Sequence, residues 1–422
     1  MKTILNSANK YQRILKTIGP GILYAGAAIG ASHLVMATRG GAKYGLALIW
    51  LVVLVNLVKY PFFEFSYRYT ANTGKSMLEG YKNVGLWAIV TYFILSFLTS
   101  IVNFAAVTIV TAGLTAYFFN LQMSSTTVSI LLLAVIMLVL FIGRYALLDK
   151  ILKVMIIFLT VATVTAFFFA LHRGSQGHTG FIPPEIRDAA GITFLIAFMG
   201  WMPTPIEASI WPSLWALERQ NETSYKPEFR EALIDFHIGY VGSAILAVFF
   251  VGLGAYIMYG TGEEFSSSGL VFSKQLVELY TKIFGSWSKT IISAIVLLTM
   301  FSTALTVIDG YPRSLEGSLT VIFPTHKKNK TKLYRAWVVF LAISSVVIIG
   351  LFSGNMKSLL FFATIISFLA APVFAYINYK VVTSDFIPDK AKPKLWLKFL
   401  SWLGLIFLFG FSIIYIISNF VL

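Results

Sequence analysis

Apolar runs of about 18 residues or more recur along the whole chain, and this constrains its fold more than any other feature. In a bilayer every backbone N–H and C=O must be satisfied internally, so runs of this length fold as membrane-spanning helices. Hydrophobic residues make up 57% of the 422 residues and charged residues 12%. About eleven spans are expected, near 18–38, 44–69, 85–118, 124–146, 149–172, 189–217, 231–260, 279–311, 333–352, 356–380 and 395–420. The polar stretches between them, the longest near 173–188, 218–230 and 312–332, are too short to bury a core of their own. The expected fold class is therefore an all-α integral membrane protein, and its function must lie within the bilayer.

A net charge of +15 raises the question of nucleic acid. The bases, however, are sorted by side of the membrane rather than clustered with stacking aromatics. With the N-terminus cytoplasmic, most of the 33 Lys and Arg fall in or beside cytoplasmic loops, among them Lys2, Lys10, Arg13, Lys16, Lys327, Lys328, Lys330, Lys332 and Arg335. This predicts a multi-pass protein of a bacterial-type plasma membrane, with the lipid bilayer as its surroundings and no nucleic-acid partner. An odd number of spans places the C-terminus outside. The first seventeen residues carry no small-residue cleavage site, so no removable signal peptide is expected. The absence of cysteine excludes disulfides and thiolate chemistry. Metalloprotease, phosphate-loop and nucleotide-binding motifs are missing, and the adjacent Gly40 and Gly41 make no fingerprint, so the chain does not read as an enzyme.

Two of the spans are interrupted. Span 1 carries Gly30-Ala31-Ser32-His33 at its centre, and span 6 carries Pro203-Thr204-Pro205, where two backbone donors are lost. Each break lies in the first span of its half: residues 18–172 and 189–380 form two five-span units, followed by an extra span at 395–420. An odd count per unit gives the halves opposite orientation, which is an inverted repeat, and broken helices at matching positions mark a binding site near the membrane midplane. Thr204-Pro205-Ile206-Glu207 reads as a capping box that starts a new half-helix, with Thr204 as N-cap and Glu207 three residues on.

The chain resembles the Nramp family of secondary transporters over Gly19-Pro20 through Gly41-Ala42-Lys43-Tyr44-Gly45-Leu46-Ala47-Leu48-Ile49-Trp50 and on to Asn56-Leu57. The likeness continues through Arg230-Glu231-Ala232-Leu233-Ile234-Asp235 and Ser367-Phe368-Leu369-Ala370-Ala371-Pro372. It implies the leucine-transporter type of 5+5 fold with spans 1 and 6 unwound, and alternating access to a central ion site. It also exposes a departure. The family's Asp-Pro-Gly-Asn falls on Gly30-Ala31-Ser32-His33, which deletes a metal-binding carboxylate. Its Met-Pro-His falls on Met202-Pro203-Thr204, a span-10 glutamine falls on Thr364, and the acidic pair tied to proton transfer falls on Val107 and Val110.

The candidate substrate residues are thus Gly30, Ala31, Ser32, His33, Trp201, Met202, Thr204, Glu207 and Thr364. A transition metal wants anionic, imidazole or soft ligands, and this set is poor in them. Glu207 reads either as the end of the capping box or as a substrate carboxylate, His33 either as an internally satisfied imidazole or as a substrate contact, and Met202 as packing or a ligand. Trp201 abuts the break and could stack over a ligand. Two half-helices starting near Ser32 and Thr204 would aim positive ends at one cavity, which suits a small anion such as bicarbonate, or a small carboxylate, better than a metal. A divalent cation remains the alternative that the resemblance implies. No cofactor is expected beyond sodium as a coupling ion, for which Ser302, Thr303 and Thr306 in span 8, with carbonyls around Ala28 and Ile29, are the candidate ligands. Among other intramembrane charges, Lys59 reads as a fixed positive charge or a partner of Glu64, Asp309 and Arg313 as a structural pair or cytoplasmic gate, and Asp235 and His237 as interfacial charges. Asn103, Thr108 and Thr111 are polar enough to line a path, with packing as the other reading.

Overall fold

The computed structural model describes residues 12–142, 145–178, 181–352 and 355–420. Lys2 and Lys10, invoked above for orientation, lie outside them, as does the boundary between spans 4 and 5 at 143–144. Ten apolar helical stretches long enough to cross a bilayer occur among the described residues. The first, Pro20–Thr73, turns at Gly45, whose φ of 64° is left-handed backbone that a glycine tolerates, and so makes two crossings.

In chain order the elements are α1 (20–44), α2 (Ile49–Thr73), α3 (Met77–Val84), α4 (Leu86–Phe118), α5 (Ser125–Ile142), α6 (Tyr145–Arg173) and α7 (Ala189–Trp201). There follow α8 (206–223), α9 (Phe229–Ile257), α10 (Gly269–Phe284), α11 (Lys289–Ile322), α12 (Lys330–Leu351), α13 (Met356–Thr383) and α14 (Leu395–Phe420). The pair α7 and α8 is span 6, broken over 202–205. Two helices went unpredicted because their apolar faces are short. One is α3, opened by a capping box in which Ser76 Oγ accepts from the Glu79 amide and Glu79 returns to the Ser76 amide. The other is α10, which packs Gly269 against Gly113 of α4. Span 8 is displaced from the expected 279–311: residues 279–284 belong to α10, and α11 begins at Lys289 and runs on through Pro312 to Ile322, because the charges past that proline find side-chain partners.

Burial sorts the helices into two shells. The apolar stretches of α4 and α11 are 67% and 72% buried, whereas those of α5, α12 and α14 are 28% buried and face lipid. Inside, backbones approach closely. A Cβ on Gly30 of α1 would lie 2.0 Å from Thr303 Oγ1 of α11, and one on Gly21 would lie 2.0 Å from the Asp235 carbonyl of α9. Small residues let membrane helices gain dispersion where lipid removes the hydrophobic drive between them. Asp235, expected as an interfacial charge, is buried and caps α1 instead: Oδ1 accepts from the Gly19 amide at 3.0 Å and Oδ2 from the Gly21 amide at 2.7 Å.

Candidate functional site

The break in α1 takes the form of a widened helix. Pro20–Ala28 and Thr38–Tyr44 are α-helical, and the nine residues between, Ile29–Ala37, are π-helical. Its amides stay bonded within the helix, so the free N–H groups expected near Ser32 are not present; a π-turn closes the ladder where small residues allow it. Ser32 marks the crossing with span 6. Its hydroxyl is within hydrogen-bond reach of the Pro203 carbonyl at 2.8 Å, of the Ala28 carbonyl and of His33 Nδ1. His33 turns away from the break and donates from Nε2 to the Ser243 carbonyl of α9 at 2.8 Å. It is fully buried and binds α1 to α9.

In span 6 the capping box does not form. The turn Ile206–Ile210 that opens α8 has no side-chain cap, and Thr204 reaches the Tyr24 hydroxyl at 3.5 Å instead. Glu207 points the other way, into a buried polar network. Its Oε1 accepts from the Tyr311 hydroxyl at 3.1 Å and lies 3.2 Å from Asn103 Nδ2, while Oε2 has no partner. Asn103, for which path lining and packing were both open, is the hub: Nδ2 donates to the Tyr311 hydroxyl at 2.6 Å, Ser367 is 2.9 Å away, and Oδ1 accepts from Trp201 Nε1 at 3.1 Å. Nothing local in the sequence distinguishes this asparagine, because its partners come from α7, α8, α11 and α13.

Lys59 is the other residue whose role becomes legible only in three dimensions. It does not pair with Glu64, which is held by Arg68 on its own helix. Its ammonium donates to the carbonyls of Met199 and Gly200, at 2.7 and 3.2 Å, where the helical ladder of α7 ends. These carbonyls have lost their intrahelical donors and carry the negative end of the helix dipole, so a buried cation satisfies both demands.

Between the two breaks lies a small cavity with 30 Å³ open to the centre of a water molecule. Its polar lining comes from Ser32, Asn103, Trp201, Thr204, Thr303 and Tyr311, with Ala31 and Pro205 beside them. Among the remaining candidates Gly30, His33, Met202, Glu207 and Thr364 are not at its wall. Thr364 bonds back to the Leu360 and Phe361 carbonyls of its own helix. Val107, where the resemblance puts one of the proton-transfer acids, borders the cavity with an apolar side chain, and no carboxylate lines it. Among the described residues no group of three or more His, Asp or Glu is placed to hold a metal.

The span 8 hydroxyls meet α1 close to where they were expected. Thr303 Oγ1 donates to the Gly26 carbonyl at 2.6 Å, and Ser302 Oγ is buried without a partner beside Gly26. Thr306 bonds within α11, and the Ala28 carbonyl faces Ser32. Towards the N-terminal face, Asp309 binds Arg313 at 2.8 and 3.0 Å and also accepts from Trp215 and Tyr334, while Arg313 reaches Glu218 at 3.1 Å. This cluster ties α11 to α8 and α12. Beyond it, Arg13 contacts Tyr225, Glu228 and Glu231, and these hydrogen bonds and carboxylates raise the guanidinium pKa further above its ordinary value.

Comparison with known proteins agrees with this architecture. The chain is 36% identical over 404 residues to an uncharacterised protein of Pasteurella multocida, covering 94% of this chain and 91% of the relative. It is 21% identical over 428 residues to the divalent metal cation transporter MntH of Staphylococcus saprophyticus, covering 99% and 95%. Among solved structures, the manganese transporter of Eremococcus coleocola superposes with a TM-score of 0.72 at 14% identity, covering 97% of this chain and 87% of that one. MhsT in complex with L-phenylalanine gives 0.62 at 13% identity, covering 95% and 98%. These likenesses establish the leucine-transporter type of fold. The model of the family described as natural resistance-associated macrophage protein-like, Nramp, matches residues 21–418. The chain therefore belongs to the Nramp family.

Proposed function

We propose that this Nramp-family protein is a secondary-active transporter of a small anion, an inorganic one such as bicarbonate or a small carboxylate, with Ser32, Trp201 and Thr204 at its central site. The observation that carries the reading is the ammonium of Lys59 on the carbonyls of Met199 and Gly200. Carbonyls at the end of a broken helix are natural cation ligands, and here a tethered cation already holds them. The cavity next to that helix end is walled by hydroxyls, two indoles, a carboxamide and apolar groups, without a carboxylate. The uncapped start of α8 adds a partial positive charge at Thr204 and Pro205. At 30 Å³ the cavity suits one water or a bare ion, so an oxyanion requires it to widen during the transport cycle.

Sodium is the coupling ion we propose, held by the unpartnered Ser302 hydroxyl with Thr303 and the Gly26 carbonyl. The second reading is a divalent metal, favoured by the activity named for the Staphylococcus saprophyticus relative and the Eremococcus coleocola structure. It would have to recruit Glu207 Oε2, which is buried and unpartnered but outside the cavity wall.

Purified protein in liposomes decides between the two. Labelled bicarbonate and manganese are offered with and without an inward sodium gradient at clamped potential, and the rate in protein-free liposomes is subtracted because dissolved carbon dioxide crosses lipid. Saturable, sodium-stimulated bicarbonate uptake supports the anion reading. Manganese uptake with no bicarbonate uptake overturns it, and bicarbonate uptake indifferent to sodium removes the coupling site.

A further inference from the structure

A second cavity opens at the face opposite the N-terminal segment, with 270 Å³ open to the centre of a water molecule. It is much larger than the central one and is walled by the C-terminal end of α1, the start of α7, the start of α13 and the loop that follows α9. Three cations line it: Arg39, Lys43 and Lys357. Arg39 is 5% exposed, yet only Nη2 has a partner, the Ser266 carbonyl at 2.7 Å; Nε and Nη1 are buried with none. Its guanidinium carbon lies 4.9 Å from the centre of the Phe272 ring and 5.9 Å from that of Phe265, which hold its plane in place. Lys43, one turn further along α1, stands 5.2 Å over the Phe194 ring and feels the charge of Lys357.

Two carboxylates also line this cavity, Glu263 and Glu264. Glu263 is bound to Lys282 at 2.9 and 3.1 Å, and Glu264 lies within electrostatic range of Lys43. Asp188 also acts on Lys43, so the positive charge without a carboxylate beside it is that of Arg39 at the buried end and of Lys357. Arg39 lines this cavity while two of its nitrogens stay covered and unpartnered, and leaving buried charged donors unpaired is costly, so an acceptor entering beside the guanidinium relieves the deficit. We propose that this vestibule is a binding site for a small oxyanion, a carboxylate or bicarbonate, held by Arg39 with Lys43 and Lys357 around it.

Two helices connect the vestibule to the central cavity. Arg39 and Ser32 lie on α1 roughly 10 Å apart along the helix, and Phe194 and Trp201 mark the same two levels on α7. Between them Phe198 packs on Gly40, where a Cβ would come within 2.8 Å of its ring. The vestibule is thus a capture site above a closed barrier, and it concentrates anions at one face by focusing charge in a concave wall. As a station on the transport path it rests on the anion reading of the central site; as a binding site it stands on its own residues.

The test uses the full-length protein in nanodiscs and in sided liposomes, with sodium formate as the probe and chloride balancing ionic strength. Calorimetry is expected to show formate binding weakened about tenfold by Arg39→Gln and by Lys357→Gln, and partly restored in Arg39→Lys. Lys357, half-buried, guards against a variant that fails only because Arg39 is packed. In liposomes the same variants are expected to raise KM from the vestibule face alone and leave kcat near wild type, an effect that weakens as salt is added. Formate binding that depends on Arg39 without any anion transport would uphold the vestibule and overturn the reading of the central site. Anion transport with unchanged KM and unchanged binding in all variants would overturn the vestibule and leave that reading intact. Manganese transport with no formate binding would overturn both.

Discussion

Lys59 on α2 donates its ammonium to the Met199 carbonyl at the end of α7, 2.7 Å away across 140 residues of sequence. The contact places an amine donor on the helix end that borders the central cavity. Substituting Lys59→Met leaves two helix-end carbonyls without a donor, and should cost about 2 kcal/mol in stability. Thermal unfolding in detergent measures that cost, and liposome uptake measures function. Transport is expected to fall at least about tenfold, the equivalent of ~1.4 kcal/mol. Wild-type transport in a folded Lys59→Met protein would show that the charge serves stability alone.

Glu207 separates the two substrate readings most directly. In Glu207→Gln the side-chain oxygen can still accept from Tyr311, and the amide takes the position of the unpartnered Oε2, so the network with Asn103 keeps its shape. With an anion as cargo, uptake should hold within about threefold, a change under ~1 kcal/mol. With a divalent cation as cargo it should collapse, since the only buried carboxylate oxygen without a partner among the described residues is gone. Parallel uptake assays with bicarbonate and manganese report which happens.

The contact of α1 with α11 leaves no room for a side chain at Gly30. A Cβ there would fall 2.0 Å from Thr303 Oγ1 and 2.6 Å from Thr303 Cβ, so Gly30→Ala must push the helices apart. Overpacking of this kind costs about 1–3 kcal/mol. It also separates Thr303 from the Gly26 carbonyl. Sodium stimulation of uptake is therefore expected to fall before uptake itself does. Loss of both in equal measure, followed across a sodium titration, would argue against a sodium role at this contact.

Asp235 binds two amides at the start of α1 from α9. Replacing it with alanine removes both acceptors and a charge that favours the helix N-terminus, worth about 1–2 kcal/mol. Asp235→Asn should recover part of this by keeping one acceptor. A melting series of wild type, Asn and Ala in that order is the expected result. Equal melting temperatures for Ala and wild type would mean that neither amide bond contributes.

Much of the architecture could be read from the chain directly, and the limits of that reading are instructive. The pair Pro203 and Pro205 announces the break in span 6 because proline lacks a donor wherever it stands. Gly30-Ala31-Ser32 announces weakness in span 1 but not its form, since a π-turn and an unwound loop draw on the same small residues. Thr204 and Glu207 satisfy the pattern of a capping box, yet Asn103 and Tyr311 offer Glu207 better partners in a dry interior, and the local pattern loses to them.

Sequence by itself determined most of the spans and the positions of both breaks, because hydropathy and backbone chemistry are local properties of consecutive residues, while the missing carboxylate in span 1 came from the resemblance to the Nramp family. Tertiary structure alone decided which way His33 turns, that Lys59 rather than an ion holds the end of α7, and that Arg39 lines a cavity while two of its nitrogens stay buried and unpartnered. Each of these is a hydrogen-bond partnership, made or missing, between segments far apart in the chain. In a bilayer, where water cannot serve as the partner, such pairings set what each polar group does.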